Sequence, residues 1–143
     1  MEQKILDLLA KERVSSLTTL LTNGSPHSSA MHFSHSIKPL EVYFSTENTS
    51  KKCEALLTGE QVKGSVVVGF SETDFETLQL DGVISTVSDQ EELKRIKSGY
   101  YPKNPHSQKY ENDPGTVFLK FVPTWWRYSD YKTEPLTIIS SDK

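Results

Sequence analysis

Leu40-Glu41-Val42-Tyr43-Phe44-Ser45-Thr46-Glu47-Asn48-Thr49-Ser50-Lys51-Lys52-Cys53-Glu54-Ala55-Leu56-Leu57 is the stretch on which the fold turns. Leu40 to Phe44 has the apolar and aromatic composition of a strand, and the polar run from Ser45 to Thr49 cannot continue it. Ser50 then stands before a short helical pattern that Gly59 ends. The reading is strand, tight loop, helix. It gathers two hydroxyls at a strand end (Ser45, Thr46), a hydroxyl at a helix start (Ser50) and two ammonium groups (Lys51, Lys52) around one anion-sized volume. Lysines in a first helical turn oppose the helix dipole, by about 0.3–1 kcal/mol each, and an anionic ligand would remove that conflict.

Working outward on the N-terminal side, Ile5, Leu6, Leu8 and Leu9 recur at helical spacing, so Glu2 to Arg13 is expected to form an amphipathic helix. Val14 to Thr22 is rich in β-branched residues, and Asn23-Gly24 signals a two-residue hairpin turn. Its return strand runs from Pro26 to Phe33. On the C-terminal side, the apolar run Val66-Val67-Val68 within Gln61 to Phe70 predicts a strand buried on both faces. Phe75 to Val87 predicts a longer one, with Gly82 as a bulge or point of close approach. Ser88-Asp89-Gln90-Glu91 reads as a capping box that opens a helix with Leu93 and Ile96 inward and Gly99 as its stop. Tyr100 to Gly115 reads as an ordered loop and Thr116 to Val122 as a strand ending before Pro123. An aromatic segment, Trp125 to Tyr131, follows, with Leu136 to Ile139 as a further edge strand. About six strands joined mainly by hairpins, with few helices, predict a mainly β fold: a small antiparallel β-barrel with flanking helices in one domain, 1–143.

Composition bounds the function. The 143 residues carry 16 basic and 19 acidic side chains, net −3, which argues against a general nucleic-acid or membrane-binding surface and leaves any attraction for phosphate local. Charged residues interrupt every apolar run near the N-terminus, so neither a signal peptide nor a membrane span is expected, and a cytoplasmic protein is. Cys53 is the single cysteine, which excludes an intramolecular disulfide. His27, His32 and His35 look like a metal cluster in one dimension, but strand parity sets His27 and His32 on opposite faces and no metal site is expected.

Taken together, the Asn23-Gly24 hairpin, the Tyr43-Phe44-Ser45-Thr46 strand end, the Ser50-Lys51-Lys52 element and Leu78-Gln79-Leu80-Asp81-Gly82 resemble the pyridoxamine 5′-phosphate oxidase-like family of FMN-binding split β-barrels, in particular its short general stress protein 26-like members. The resemblance implies a six-stranded antiparallel split barrel and a homodimer with FMN held between the subunits. It places Ser45 and Thr46 near the ribityl and phosphate groups, Ser50, Lys51 and Lys52 on the phosphate, and Ala30, Met31 and His32 along the isoalloxazine ring. Gln79 is implied as a ring contact, and Trp126 or Tyr128 as an aromatic supplied across the dimer. Lys51 stands where the family commonly has Arg, replacing a bidentate contact by a point charge. The C-terminal Arg- and His-bearing segment of the vitamin B6 oxidase has no match. The function expected is therefore an FMN-dependent oxidoreductase acting on a small molecule of unknown identity, the alternative being a non-catalytic flavin or haem module.

Overall fold

The computed structural model of the chain describes residues 2–142. Helix α1 (Gln3–Lys11) buries Ile5, Leu8 and Leu9 and is followed by β1 (Val14–Leu20), β2 (Pro26–His32), β3 (Ser34–Ile37) and β4 (Leu40–Glu47). After two short 3-10 turns come β5 (Val62–Val68), β6 (Glu76–Thr86), α2 (Gln90–Lys103), a 3-10 segment (Pro105–Tyr110), β7 (Thr116–Asp130) and β8 (Thr137–Ser140). All eight strands join one antiparallel sheet in the order β2-β1-β5-β6-β7-β4-β3, with β8 added on β7.

The order of the sheet dictates its shape. β2 and β3 occupy opposite ends of the sheet, yet only Phe33 separates them in the chain. A flat sheet of seven strands at about 4.8 Å per step would hold its ends nearly 30 Å apart, so this one must curl until they meet. Phe33 sits at that seam, fully buried among Leu17, Val42, Phe44, Val66, Leu78, Leu80 and Phe121, and α1 closes the cluster with Ile5, Leu8 and Leu9. The result is the expected mainly β half-barrel with flanking helices. The strand count rises from about six to eight, because Ser34–Ile37 pairs with β4 where a connection is expected, and Thr137–Ser140 forms the edge strand.

Several boundaries move for identifiable reasons. The Asn23-Gly24 hairpin closes through Leu21 N–H on the Ser25 carbonyl, leaving a three-residue loop with Gly24 at φ +86°. β5 is buried on one face only: Val66 and Val68 point inward while Val67 is half-exposed. β7 does not end before Pro123 but runs for 15 residues through it. Gly82 makes this possible. Asp81 pairs with Trp125 and Gly82 with Pro123, so Thr124 is the extra residue of a bulge, and a Cβ on Gly82 would collide with the Val122 carbonyl. Pro123, with no N–H to offer, stands where the ladder is already interrupted.

Helix α2 also runs past its expected stop. Its N-cap is Asp89, whose carboxylate accepts from Glu92 N–H at 2.9 Å, and Gly99 lies inside the helix. The extra turn is held by Tyr100 and Tyr101, which bury edge-on against Phe118, with centroids at 5.3 and 6.0 Å. Tertiary packing thus overrides the weak helix propensity of one glycine. At its end Asn104 donates from Nδ2 to the Phe33 carbonyl at 3.1 Å, and Lys103 lies over the Phe33 ring at 3.9 Å while donating to the Leu9 carbonyl. Burial lowers the Lys103 pKa to about 8.

Gly82→Ala is expected to lower unfolding stability by about 1–3 kcal/mol in urea titrations, the cost of overpacking a site that cannot relax. Lys103 makes a second prediction. Its ammonium is disfavoured in the folded state, so the unfolded chain binds more protons between about pH 8 and the ordinary lysine range. Stability should rise with pH across the lower part of that window, and Lys103→Met should abolish the rise.

Candidate functional site

Beyond the seam, β2 and β4 part. β3 pairs Ser34 with Tyr43; extended backward by the same register, Ser45 would face His32, Thr46 would face Met31 and Glu47 would face Ala30. No ladder forms there. Instead these six residues line a cavity of about 350 Å³, closed by Tyr100 of α2, Ser107 and Tyr110 of the 3-10 segment, and Thr116 at the start of β7. Two strand edges facing each other without pairing leave backbone donors and acceptors directed at whatever fills the gap. Five of the residues expected from sequence, Ala30, Met31, His32, Ser45 and Thr46, therefore meet in one place.

The base of the cavity is fixed by hydroxyls. Ser45 N–H donates to the Tyr100 hydroxyl at 3.3 Å, and burial raises the pKa of that phenol. Lys52 donates from Nζ to Thr46 Oγ1 at 3.0 Å, and Ser50 Oγ stands 3.4 Å from the same oxygen. The expected helix is not present here: Lys51–Cys53 and Leu56–Thr58 are separate 3-10 turns, and Ser50 Oγ donates back to the Glu47 carbonyl at 2.8 Å rather than capping. A macrodipole cannot form in so short a piece, so the positive character of this corner comes from Lys52 itself. Lys52 is only 9% exposed and has no carboxylate within 4 Å among the described residues. Lys51, one residue earlier, is exposed. Glu47, next to Thr46 on β4, brings one exposed carboxylate to the lining.

His32 stacks obliquely on His106 of the 3-10 segment, with ring centroids 4.3 Å apart. Burial, then His106 and Arg13, lower the His32 pKa below the ordinary histidine value, so the imidazole is neutral at pH 7. Among the described residues no three His, Cys, Asp or Glu side chains are grouped to hold a metal.

Two expected residues lie elsewhere. Gln79 is exposed on β6 in the cross-strand row Ala30–Ser16–Val67–Gln79–Arg127, three strand spacings or about 14 Å from Ala30. Trp126 pairs with Leu80 and packs on the barrel core, while Trp125 faces outward beneath Arg127. Tyr128, its alternative, is fully buried and donates to Glu76 at 2.6 Å. In turn, sequence reasoning missed Tyr100, Ser107, Tyr110 and Thr116. A signal for the first was present: Leu93, Ile96 and Tyr100 keep helical spacing across Gly99.

A family model for pyridoxamine 5′-phosphate oxidase matches residues 1–130. No sequence among curated proteins matches significantly. Among solved structures, a Clostridium acetobutylicum protein related to general stress protein 26 of B. subtilis, of the pyridoxinephosphate oxidase family, superimposes with TM-score 0.71 at 19% identity, over 99% of this chain and 98% of its own. The conserved hypothetical protein Rv2991 of Mycobacterium tuberculosis gives TM-score 0.75 at 20% identity, over 100% and 92%. A heme binding protein from Mycobacterium smegmatis gives 0.75 at 16%, over 94% of this chain and 54% of that one. At these identities the structures share the fold with this chain. None of the helices described here is long and apolar enough to cross a membrane.

The His32 imidazole should titrate below the ordinary histidine midpoint when followed by NMR. His106→Gln should move that midpoint upward by removing a neighbouring positive charge. Because the folded state disfavours His32 protonation, stability should fall as pH drops below the unfolded histidine range, and fall less in the variant.

Proposed function

The chain belongs to the pyridoxamine 5′-phosphate oxidase family, and on that premise we propose that it is an FMN-binding flavoprotein and an FMN-dependent oxidoreductase acting on a small molecule. The observation that carries this reading is Lys52: a lysine nine-tenths buried, donating to Thr46 Oγ1 and with no carboxylate within 4 Å among the described residues. Burying an uncompensated charge is costly, and the cost falls once an anion occupies the neighbouring space. A flavin phosphate carries the fitting charge. Thr46 and Ser50 hydroxyls stand 3.4 Å apart beside the Lys52 ammonium. The open edges of β2 and β4 offer backbone groups to the polar edge of a ring, with Met31 and Tyr110 as apolar walls. Bound FMN would supply the hydride chemistry; the chain would orient the ring, exclude water on the Tyr100 side and present the neutral His32 imidazole as a proton carrier.

The proposed assembly is a homodimer with FMN between the subunits. The outer face of β2-β1-β5-β6 carries no helix and is lined by small side chains, Ser16, Ser28 and Ala30, beside the exposed Val14 and Phe70. Gln79 lies on that same face, where a partner could bring it to a ligand that extends beyond one chain's cavity. A second reading, a haem-holding module without turnover, is favoured by His32 in the cavity lining with the exposed His106 stacked on it, since histidine is a common axial ligand of haem iron.

Titration of the purified protein with FMN, followed by flavin fluorescence, tests the first reading. Saturable binding at one FMN per chain is expected. Lys52→Met should weaken it at least tenfold, about 1.4 kcal/mol, while the exposed Lys51→Gln changes it little. No FMN binding together with saturable haem binding would replace the first reading by the second.

A further inference from the structure

A separate cavity of about 660 Å³ lies on the far side of the same 3-10 segment. Gln90, Leu93, Lys94, Lys97, Ser98 and Tyr101 form one stripe along α2 at three- and four-residue spacing, and Pro105, Gln108 and Glu111 make the opposite wall. Its volume falls in the range of small-molecule sites. The floor is apolar, built from Leu93, Pro102, Pro105 and the Tyr101 ring. Lys94 and Lys97 stand over it, and neither has a carboxylate within 4 Å among the described residues, although Arg95 and Lys120 both find Glu92. Glu111 is the one carboxylate in the lining. Independently of the lysines, the Tyr101 hydroxyl is buried without a hydrogen-bond partner in a residue only 5% exposed. Buried polar groups nearly always have a partner, so this one marks a place where an acceptor is missing.

We propose that this groove is a second small-molecule site, one that takes an organic anion with a flat apolar body. The ring lies on the leucine and proline floor, the anionic group is held by Lys94 and Lys97, and a small turn of the Tyr101 side chain brings its solvent-closed hydroxyl to donate to an oxygen of the ligand. Pro105 and Gln108 line this groove while Ser107 and Tyr110 line the cavity between β2 and β4, so the two sites share the Pro105–Tyr110 wall. The rings of Tyr100 and Tyr101, one in each lining, meet edge-on at 5.8 Å.

Phenyl phosphate serves as the probe, added to the isotope-labelled protein with amide shifts followed by NMR. Saturable shifts are expected in residues 93–101 and 105–111. The doubly substituted Lys94→Gln, Lys97→Gln protein should bind at least about fivefold more weakly with unchanged thermal unfolding, because Lys94 is exposed, Lys97 half-exposed, and neither meets a carboxylate within 4 Å among the described residues. Tyr101→Phe, which keeps the ring and hence the packing, should also weaken binding. Shifts confined to residues 30–32 and 45–47, shifts that never saturate, or full affinity in the lysine variant would overturn the proposal. None of these readouts depends on flavin binding, so the test stands whether or not the cavity between β2 and β4 holds FMN.

Discussion

A single buried residue between two strands constrains the whole molecule. β2 and β3 lie at opposite ends of the sheet order, and Phe33 alone joins them, so the sheet closes on itself or the chain does not fold. Everything else serves that closure. The Gly82 bulge lets β7 bend and pair with β6 along its length while also carrying β4 and β8. The end of α2 locks the seam from outside, through Asn104 on the Phe33 carbonyl and Lys103 over its ring. Burial lowers the Lys103 pKa at this position, where its stem packs along the seam and its head reaches the Leu9 carbonyl.

The site is a consequence of the same closure. Where the seam holds, β3 pairs with β4; one residue past it, β2 and β4 diverge and leave two strand edges facing across a gap. A closed barrel would have spent those backbone groups on each other. The half-barrel keeps them free, and the 3-10 segment after α2 roofs the opening. Fold and cavity are therefore one feature, and we propose that the buried Lys52, which donates to Thr46 in the lining, gives that cavity a preference for anions.

Much of this was legible in the sequence because local signals and tertiary demands coincide. Leu40–Phe44 is a strand in composition and in fact, Gly82 is a point of close approach opposite a bulge, and Ala30, Met31, His32, Ser45 and Thr46 meet as strand ends should. The misreadings share one physical cause, long-range packing that overrides local punctuation. Gly99 reads as a stop, but Tyr100 and Tyr101 gain more from burial on Phe118 than the glycine costs. Pro123 reads as a strand end because its partner Gly82, on the preceding strand beyond α2, is invisible locally. Ser50-Lys51-Lys52 reads as a helix start, whereas the chain makes 3-10 turns that send Lys52 inward and Lys51 to solvent. Tyr110, Ser107 and Thr116 carry no periodic signal, so their place at the cavity follows only from the fold.

The central claim is that the cavity between β2 and β4 is selective for an anion at Lys52. Comparing the affinities of FMN and riboflavin for the same protein tests it most directly, since the two ligands share the ring and ribityl chain and differ by the phosphate. The account predicts that FMN binds at least tenfold more tightly, a difference of about 1.4 kcal/mol, and that the preference disappears when Lys52 is replaced by Met. Equal affinities, or a preference that survives the replacement, would contradict it.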